Sequence, residues 1–489
     1  MSATDAGMSG GYDREWEVVI GIEVHVQLAT ETKLFCGDRP TFGSPPNTHV
    51  CPVCLGLPGA LPATNPEAVR LAVRTALALG CEVHGTSVWA RKNYFYPDLP
   101  KGYQITQFDR PVATGGRVSF DTEDGIGEVR IRRIHMEEDA GKSLHDRVSG
   151  ATAVDLNRAG TPLVEIVTEP DLASPADTRA FLQALKQVLE YVDVSDCNME
   201  EGSLRADANV SVRPVGEEAL GTKTEIKNVN SFSGIEKALE QEIERQVALL
   251  ESGGTVIQQT LLWDDHAGEI RPMRDKEESH DYRYFPDPDL LPLVLDPAEV
   301  DAIRNSIPEL PRARRARFVS GYGLPDYDAG VLTLSRAGAD FFEAVAEASN
   351  DPREAAKWVM GPYQAVLNER GEEGGEEVVP PRALAELVDL VADGTISHGV
   401  GKKVLGIMAR EGLAAAAVVE REGLAQVRDE TSLRGWVDEV MAAFPDEVER
   451  CRAGESRLLG FLMGKVMECS GRRADPHAAR QLLQELLAG

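Results

Sequence analysis

The stretch Glu17-Val18-Val19-Ile20-Gly21-Ile22-Glu23-Val24-His25-Val26-Gln27-Leu28 places a large apolar residue at every even position. Val18, Ile20, Ile22, Val24, Val26 and Leu28 share one parity, and a strand turns residues of one parity to one face. The spacing predicts an amphipathic strand with one apolar side. Glu23, His25 and Gln27 share the other side, at about 6.6 Å intervals. Two oxygen-bearing side chains and an imidazole then project from one rigid surface. Taken alone, that surface is either a solvated exterior or the floor of a polar site.

Glu128–Met136, Pro162–Thr168 and Leu204–Val212 read as further strands. Asn65 suits a helix cap, Pro66 the first turn and Gly80 the stop. Ser174-Pro175 opens a second helix, with Phe181, Leu182, Leu185 and Leu189 at helical spacing. Ser233 and Glu236 have the spacing of a capping box for a third, running to about Ser252. Strands outnumber helices up to about residue 300, which predicts an α+β class with a β-rich N-terminal domain. Ile307-Pro308-Glu309-Leu310-Pro311 is the expected boundary, and the pattern beyond it is helical. The Glu/Gly-rich stretch 369–377 ahead of Pro380-Pro381 reads as a hinge. The expected organisation is a disordered tail over 1–15, a large α+β domain over 16–306, a helical domain over 307–411 and a small helical tail domain over 412–489.

No apolar run approaches the ~18 residues of a membrane span, and residues 1–14 lack the basic and apolar regions of a leader. A cytoplasmic protein without membrane contact is expected. Seven cysteines in 489 residues do not make a disulfide framework; reduced thiols or a metal knuckle fit better. The net charge of −29, from 51 basic and 80 acidic residues, opposes nucleic-acid binding by the whole surface. Any basic footprint must be local or supplied by a partner. From residue 451 onward, Arg452, Arg457, Lys465, Arg472, Arg473 and Arg480 outnumber Glu455, Glu468, Asp475 and Glu485, leaving this end at +2.

Several residues are candidates for chemistry. Glu165 interrupts Pro162-Leu163-Val164-Glu165-Ile166-Val167, a strand expected to be buried on both faces. A carboxylate there needs a metal, a proton or an ion pair, with Arg158 a nearby partner. Glu138 closes another run and shares parity with Ile134 and Met136. Gly141-Lys142-Ser143 is not a phosphate loop, because Met136 stands at the first glycine position and Glu137, Glu138 and Asp139 would repel phosphate. Carboxylates near phosphate make sense with divalent ions between them. Cys36, Cys51 and Cys54 form either a zinc knuckle, with Asp38 or His49 as fourth ligand, or simply buried thiols. Arg91-Lys92-Asn93-Tyr94-Phe95-Tyr96 interleaves bases with aromatics, which suits nucleotides or a core aromatic cluster. Arg205, Asp207, Asn209 and Ser211 line one face of their strand, as a cleft wall or as exposed surface.

Together these segments resemble the B subunits of bacterial aspartyl/glutamyl-tRNA amidotransferases. The resemblance is carried by Val19–Val26, Asn47–Pro58, Arg91–Gln104, His135–Ser143, Asp155–Glu165, Met199–Asn209, Asp281–Asp287 and Gly460–Gly464. It implies an N-terminal catalytic cradle, a helical domain and a tail domain like the small YqeY proteins. It also implies a reaction. Glutamate or aspartate mischarged on tRNA(Gln) or tRNA(Asn) is phosphorylated by ATP, and ammonia then displaces the phosphate. An amidase A subunit would supply the ammonia and a small C subunit would complete a heterotrimer. Carried over by position, the metal ligands fall on His25, Glu138 and Glu165, with Glu23 beside them, for Mg²⁺ or Mn²⁺. Arg91, Lys92, Tyr94, Tyr96 and Arg205 become candidates for ATP or the tRNA end, and Lys465, Arg472 and Arg473 for the tRNA body. Asp38 stands where zinc-bearing members have a second cysteine, so zinc would need Cys36, Asp38, Cys51 and Cys54. A non-catalytic tRNA-binding subunit and a zinc-stabilised scaffold are the alternatives to this enzyme.

Overall fold

The computed structural model describes residues 16–148, 150–273, 282–370, 378–427, 429–471 and 473–488. The expected disordered tail and Arg472 lie outside these. The chain divides into two compact units, which meet in sequence at Leu310 and Pro311.

The first unit is built on one ten-stranded sheet. Its centre is the strand Trp16–Gln27, flanked by antiparallel strands Leu204–Pro214 and Pro162–Thr168. The Gly125–Glu138 strand pairs with the far edge of Pro162–Thr168. The sheet continues past Leu204–Pro214 through Thr224–Val229, Thr260–Asp264 and Glu269–Pro272. All pairings are antiparallel except Thr224–Val229 with Thr260–Asp264.

Register gives the sheet two chemically different faces. Ile20, Ile22, Val24 and Val26 are at most 1 % exposed and pack with Val164, Ile166, Ile134, Met136, Ala206 and Ala208 in one core. Each such aliphatic side chain contributes about 1.5–3 kcal/mol on burial. A one-residue slip would turn them out and bury Glu23 and His25 instead, so the register is strongly specified.

Helices Pro66–Ala78, Pro175–Tyr191 and Phe232–Glu251 contribute buried faces to this core. Asn65 caps the first by accepting from the Glu67 and Ala68 amides, and Ser174 caps the second by accepting from Asp177 N. Gly80 follows the first at φ +68°, a conformation that favours glycine. The cap of the third helix corrects the sequence reading. Ser231, not Ser233, accepts from Gly234 N, and Glu236 is ion-paired with Arg179 at 3.1 Å.

The second unit is helical from Pro311 onward and holds two separate cores. One gathers Phe318, Phe342, Trp358, Leu384, Leu387, Val404 and Leu405. The other gathers Leu433, Val437, Leu462, Val466, Leu482 and Leu483. No helix among the described residues is long and apolar enough to cross a membrane.

Candidate active site

Opposite the core, the sheet carries a polar row. His135, Glu165, His25 and Arg205 stand directly across from one another on four adjacent strands. Glu165 Oε2 lies 3.1 Å from His135 Nε2 and 3.4 Å from His25 Nε2. Glu137, two residues beyond His135 on the same face, brings Oε1 to 3.5 Å from His25 Nε2. Glu137 and Glu165 are both buried, so two anions are withdrawn from water beside two imidazoles. Such burial is costly unless the groups are paired or hold a cation.

Electrostatics follow from this packing. Burial alone would lower the His25 pKa, but the Glu165 hydrogen bond and the Glu137 charge outweigh it and push it up to about 9. Burial would raise Glu165, but His135 and His25 hold it well below the usual carboxylate range. Glu23 is raised by burial and by the Glu165 charge, and it accepts from Asn209 Nδ2 at 3.2 Å.

Of the expected ligands, the structure brings together His25 and Glu165 but not Glu138. The third acid is Glu137: ligand atoms of His25, Glu137 and Glu165 lie within 4.8 Å of one another. Glu138 has the parity of Ile134 and Met136 and turns to the other side. There it forms a buried ion pair with Lys101 and accepts from Ile105 N at 2.9 Å. Nothing in the sequence around His135 marks it; its pairing with the buried acid Glu165 follows from antiparallel register. The anticipated Glu165–Arg158 pair is also corrected. Arg158 lies 3.6 Å from Asp139 and donates to the carbonyls of Ala140 and Gly141.

Two carboxylate oxygens and one imidazole suit a hard divalent cation such as Mg²⁺ or Mn²⁺, and three protein ligands leave positions for phosphate oxygens or water. His135 would support Glu165 from behind. After Gly141, Lys142 and Ser143 open a strand, Lys142–Val148, whereas a phosphate loop opens a helix.

Cationic and aromatic groups surround the acids. Arg205 Nη2 donates to Asp139 at 2.9 Å, while its Nε is buried with no hydrogen-bond partner among the described residues. Asp139 also accepts from Gln27 Nε2 at 2.9 Å, which locks that corner. Lys92 holds its ammonium 4.8 Å from the Tyr282 ring centre. Burial would lower its pKa, but the Glu137 charge, the Tyr284 and Tyr282 phenols and the Glu165 charge raise it. Tyr94 packs near Tyr96 and Tyr282. Arg91, by contrast, is engaged by Asp287 at 2.7 Å and Asp289 at 2.9 Å, with Tyr103 stacked against it.

Away from this row, Cys36, Asp38, Cys51 and Cys54 converge with ligand atoms within 4.8 Å of one another. His49 is not among them; its Nε2 lies 2.9 Å from Ser44 Oγ. Cys54 Sγ is 3.4 Å from Cys36 Sγ and 3.4 Å from the Lys33 ammonium. The Cys36 hydrogen bond, aided by Lys33, pulls the Cys54 thiol down to about 6. Three sulfurs and a carboxylate suit a tetrahedral structural zinc. In the tail, Lys465 pairs with Glu468 at 2.8 Å, and Arg473 lies 5.9 Å from the Trp436 ring centre.

Residues 18–301 match the family model described as the GatB/GatE catalytic domain, and residues 340–487 match the one described as the GatB domain. Over 97 % of its length, this chain is 51 % identical to the B subunit of the aspartyl/glutamyl-tRNA(Asn/Gln) amidotransferase of Moorella thermoacetica, covering all of that protein. The protein of the same name from Halorhodospira halophila is 52 % identical over the same shares of both chains. That of Thermoanaerobacter sp. is 48 % identical, again with 97 % of this chain and all of the relative covered.

Proposed function

The chain belongs to the GatB/GatE family, and on that premise we propose that it is the subunit of a tRNA-dependent amidotransferase in which a misacylated amino acid is converted to its amide. In this reading the substrates are Glu-tRNA(Gln), Asp-tRNA(Asn) or both, with ATP. The side-chain carboxylate attacks the terminal phosphorus of ATP, a new O–P bond forms, and ADP leaves. Ammonia then adds to the acyl carbon, phosphate departs with the C–O electron pair, the nitrogen gives up one proton to phosphate or water, and the amide remains. An amidase A subunit supplies the ammonia, and a small C subunit completes the assembly.

One observation carries this reading: His25, Glu137 and Glu165 converge on a protected polar face. These residues would hold Mg²⁺ or Mn²⁺, with Glu23 outside the ligand set. The cation would neutralise phosphate charge and orient the phosphoryl group. The chain's own groups do the rest. His135 fixes the Glu165 carboxylate through its 3.1 Å contact. Asp139 aims Arg205, whose side chain is one-third exposed and can present its guanidinium to a phosphate oxygen. Lys92 offers a second positive pole and is ion-paired with no carboxylate among the described residues. Tyr94 and Tyr96 serve ATP or the acceptor end of the tRNA, and Lys465 and Arg473 its body.

The test is reconstitution. The full chain, an amidase partner, ATP, Mg²⁺, glutamine and each mischarged tRNA are combined, and the amino acid on the product is identified. Glutamine or asparagine on the tRNA supports the reading; unchanged glutamate and aspartate with both tRNAs contradict it.

A further inference from the structure

We propose that the stacked pair Phe108 and Tyr284 is a platform for an adenine ring, which would lie as a third layer on the open face of Phe108. The inference rests on the reading above, because adenine is the base both of ATP and of the nucleotide that ends a tRNA.

The two rings are parallel to within 4°, with centroids 4.0 Å apart, so one face of Phe108 is occupied. Phe108 as a whole is 45 % exposed, so part of its side chain remains open to a ligand. The loop beneath it is fixed. The buried Gln107 accepts from Met136 N at 3.1 Å and donates to Ser87 Oγ at 2.9 Å. Met136 lies between His135 and Glu137, so the platform is anchored to the strand that carries two of the site's groups.

Aromatic contacts lead inward from the stack. Tyr284 meets Tyr282 edge-on at 5.9 Å, and Tyr282 receives the Lys92 ammonium at 4.8 Å. Lys92 in turn senses Glu137 and Glu165. A ligand whose base lies on Phe108 and whose phosphates reach toward Lys92 fits both ends. An apolar segment of a partner protein would cover the ring but make no contact with that ammonium. A nucleotide satisfies both groups within one molecule. Aromatic–base stacking is sequence-tolerant and strong enough that its loss weakens binding by about tenfold or more.

The test compares Phe108→Leu, which keeps an apolar side chain but removes the π face, with Phe108→Tyr, which keeps the face. Binding of Mg²⁺-ATP, of intact tRNA and of tRNA lacking its terminal adenosine is measured on the full chain assembled with its amidase partner. A loss of about tenfold in ATP affinity for Phe108→Leu, restored in Phe108→Tyr, supports the platform with ATP as the source. The same loss for intact tRNA but not for the truncated tRNA supports it with the tRNA terminus as the source. Unchanged affinity for both ligands overturns the proposal. So does equal loss in both variants, or loss of the amidase partner. Failure of the wild-type complex to amidate tRNA would instead sink the functional reading, whatever the Phe108 variants do.

Discussion

Glu165 Oε2 lies between two imidazoles, 3.4 Å from His25 Nε2 and 3.1 Å from His135 Nε2, because antiparallel register sets both histidines directly across from it. A buried carboxylate held this way is fixed in place before any substrate arrives. Replacing His135 by Ala should leave the His25–Glu137–Glu165 donors present but let Glu165 rotate. Loss of such a supporting contact typically costs 10–100-fold in metal affinity. Titration of Mn²⁺ into the full chain, followed by electron paramagnetic resonance, checks this.

Adjacent acids should fail differently. Glu137→Gln removes a proposed ligand and should abolish tight Mn²⁺ binding with little change in folding stability. Glu138→Gln breaks the buried pair with Lys101 and leaves an ammonium without its partner, at a cost of about 3–5 kcal/mol. Denaturant unfolding of both variants, alongside Mn²⁺ titration, separates the roles. Equal loss of metal with equal stability would contradict the face assignment.

His25 gives the pH dependence. Its pKa rises from 6.5 to about 9 in the metal-free protein, so the imidazolium stabilises the fold fully below 6.5, and that contribution is lost as pH rises through about 9. A cation needs the neutral imidazole. Metal binding near pH 7 should therefore release about one proton, and affinity should improve about tenfold per pH unit until pH 9. Calorimetry in buffers of different ionisation enthalpy measures the released proton.

The thiol cluster makes a separate prediction. The purified chain should carry one zinc, and Asp38→Cys should hold it more tightly against chelator while Asp38→Ala loses it. Metal analysis and melting temperature give the readout. An unchanged melting temperature after complete zinc removal would mean that the cluster is only a set of buried thiols.

Much of this was legible in residues. The apolar parity of 18–28 predicted the central strand and its polar face, and Glu165 was marked by its place in an apolar run. Asn65 and Ser174 announced their helices because a short polar side chain ahead of proline has few other local uses. The third cap was misread by two residues because Ser231 and Ser233 offer the same chemistry.

The site's third acid was harder to read. Glu137 and Glu138 are chemically equal, and only strand parity separates them. Parity had already put Glu138 with Ile134 and Met136, on the side that holds Lys101. His135 was passed over because its importance depends on which residue lies opposite, and register between distant strands is not written in either one. The engagement of Arg91 by Asp287 and Asp289 was hidden for the same reason.

Phosphorylation of the aminoacyl carboxylate at the His25 row can be measured directly. With mischarged tRNA and ATP but without glutamine, the assembled complex should release ADP and yield a hydroxamate on the side-chain carboxyl, distinct from the α-hydroxamate that the tRNA ester gives by itself, when hydroxylamine is added. The Glu165→Gln variant should lose this by a factor of about 10² or more while still binding tRNA within about twofold. ADP release retained at the wild-type rate in that variant would contradict the assignment.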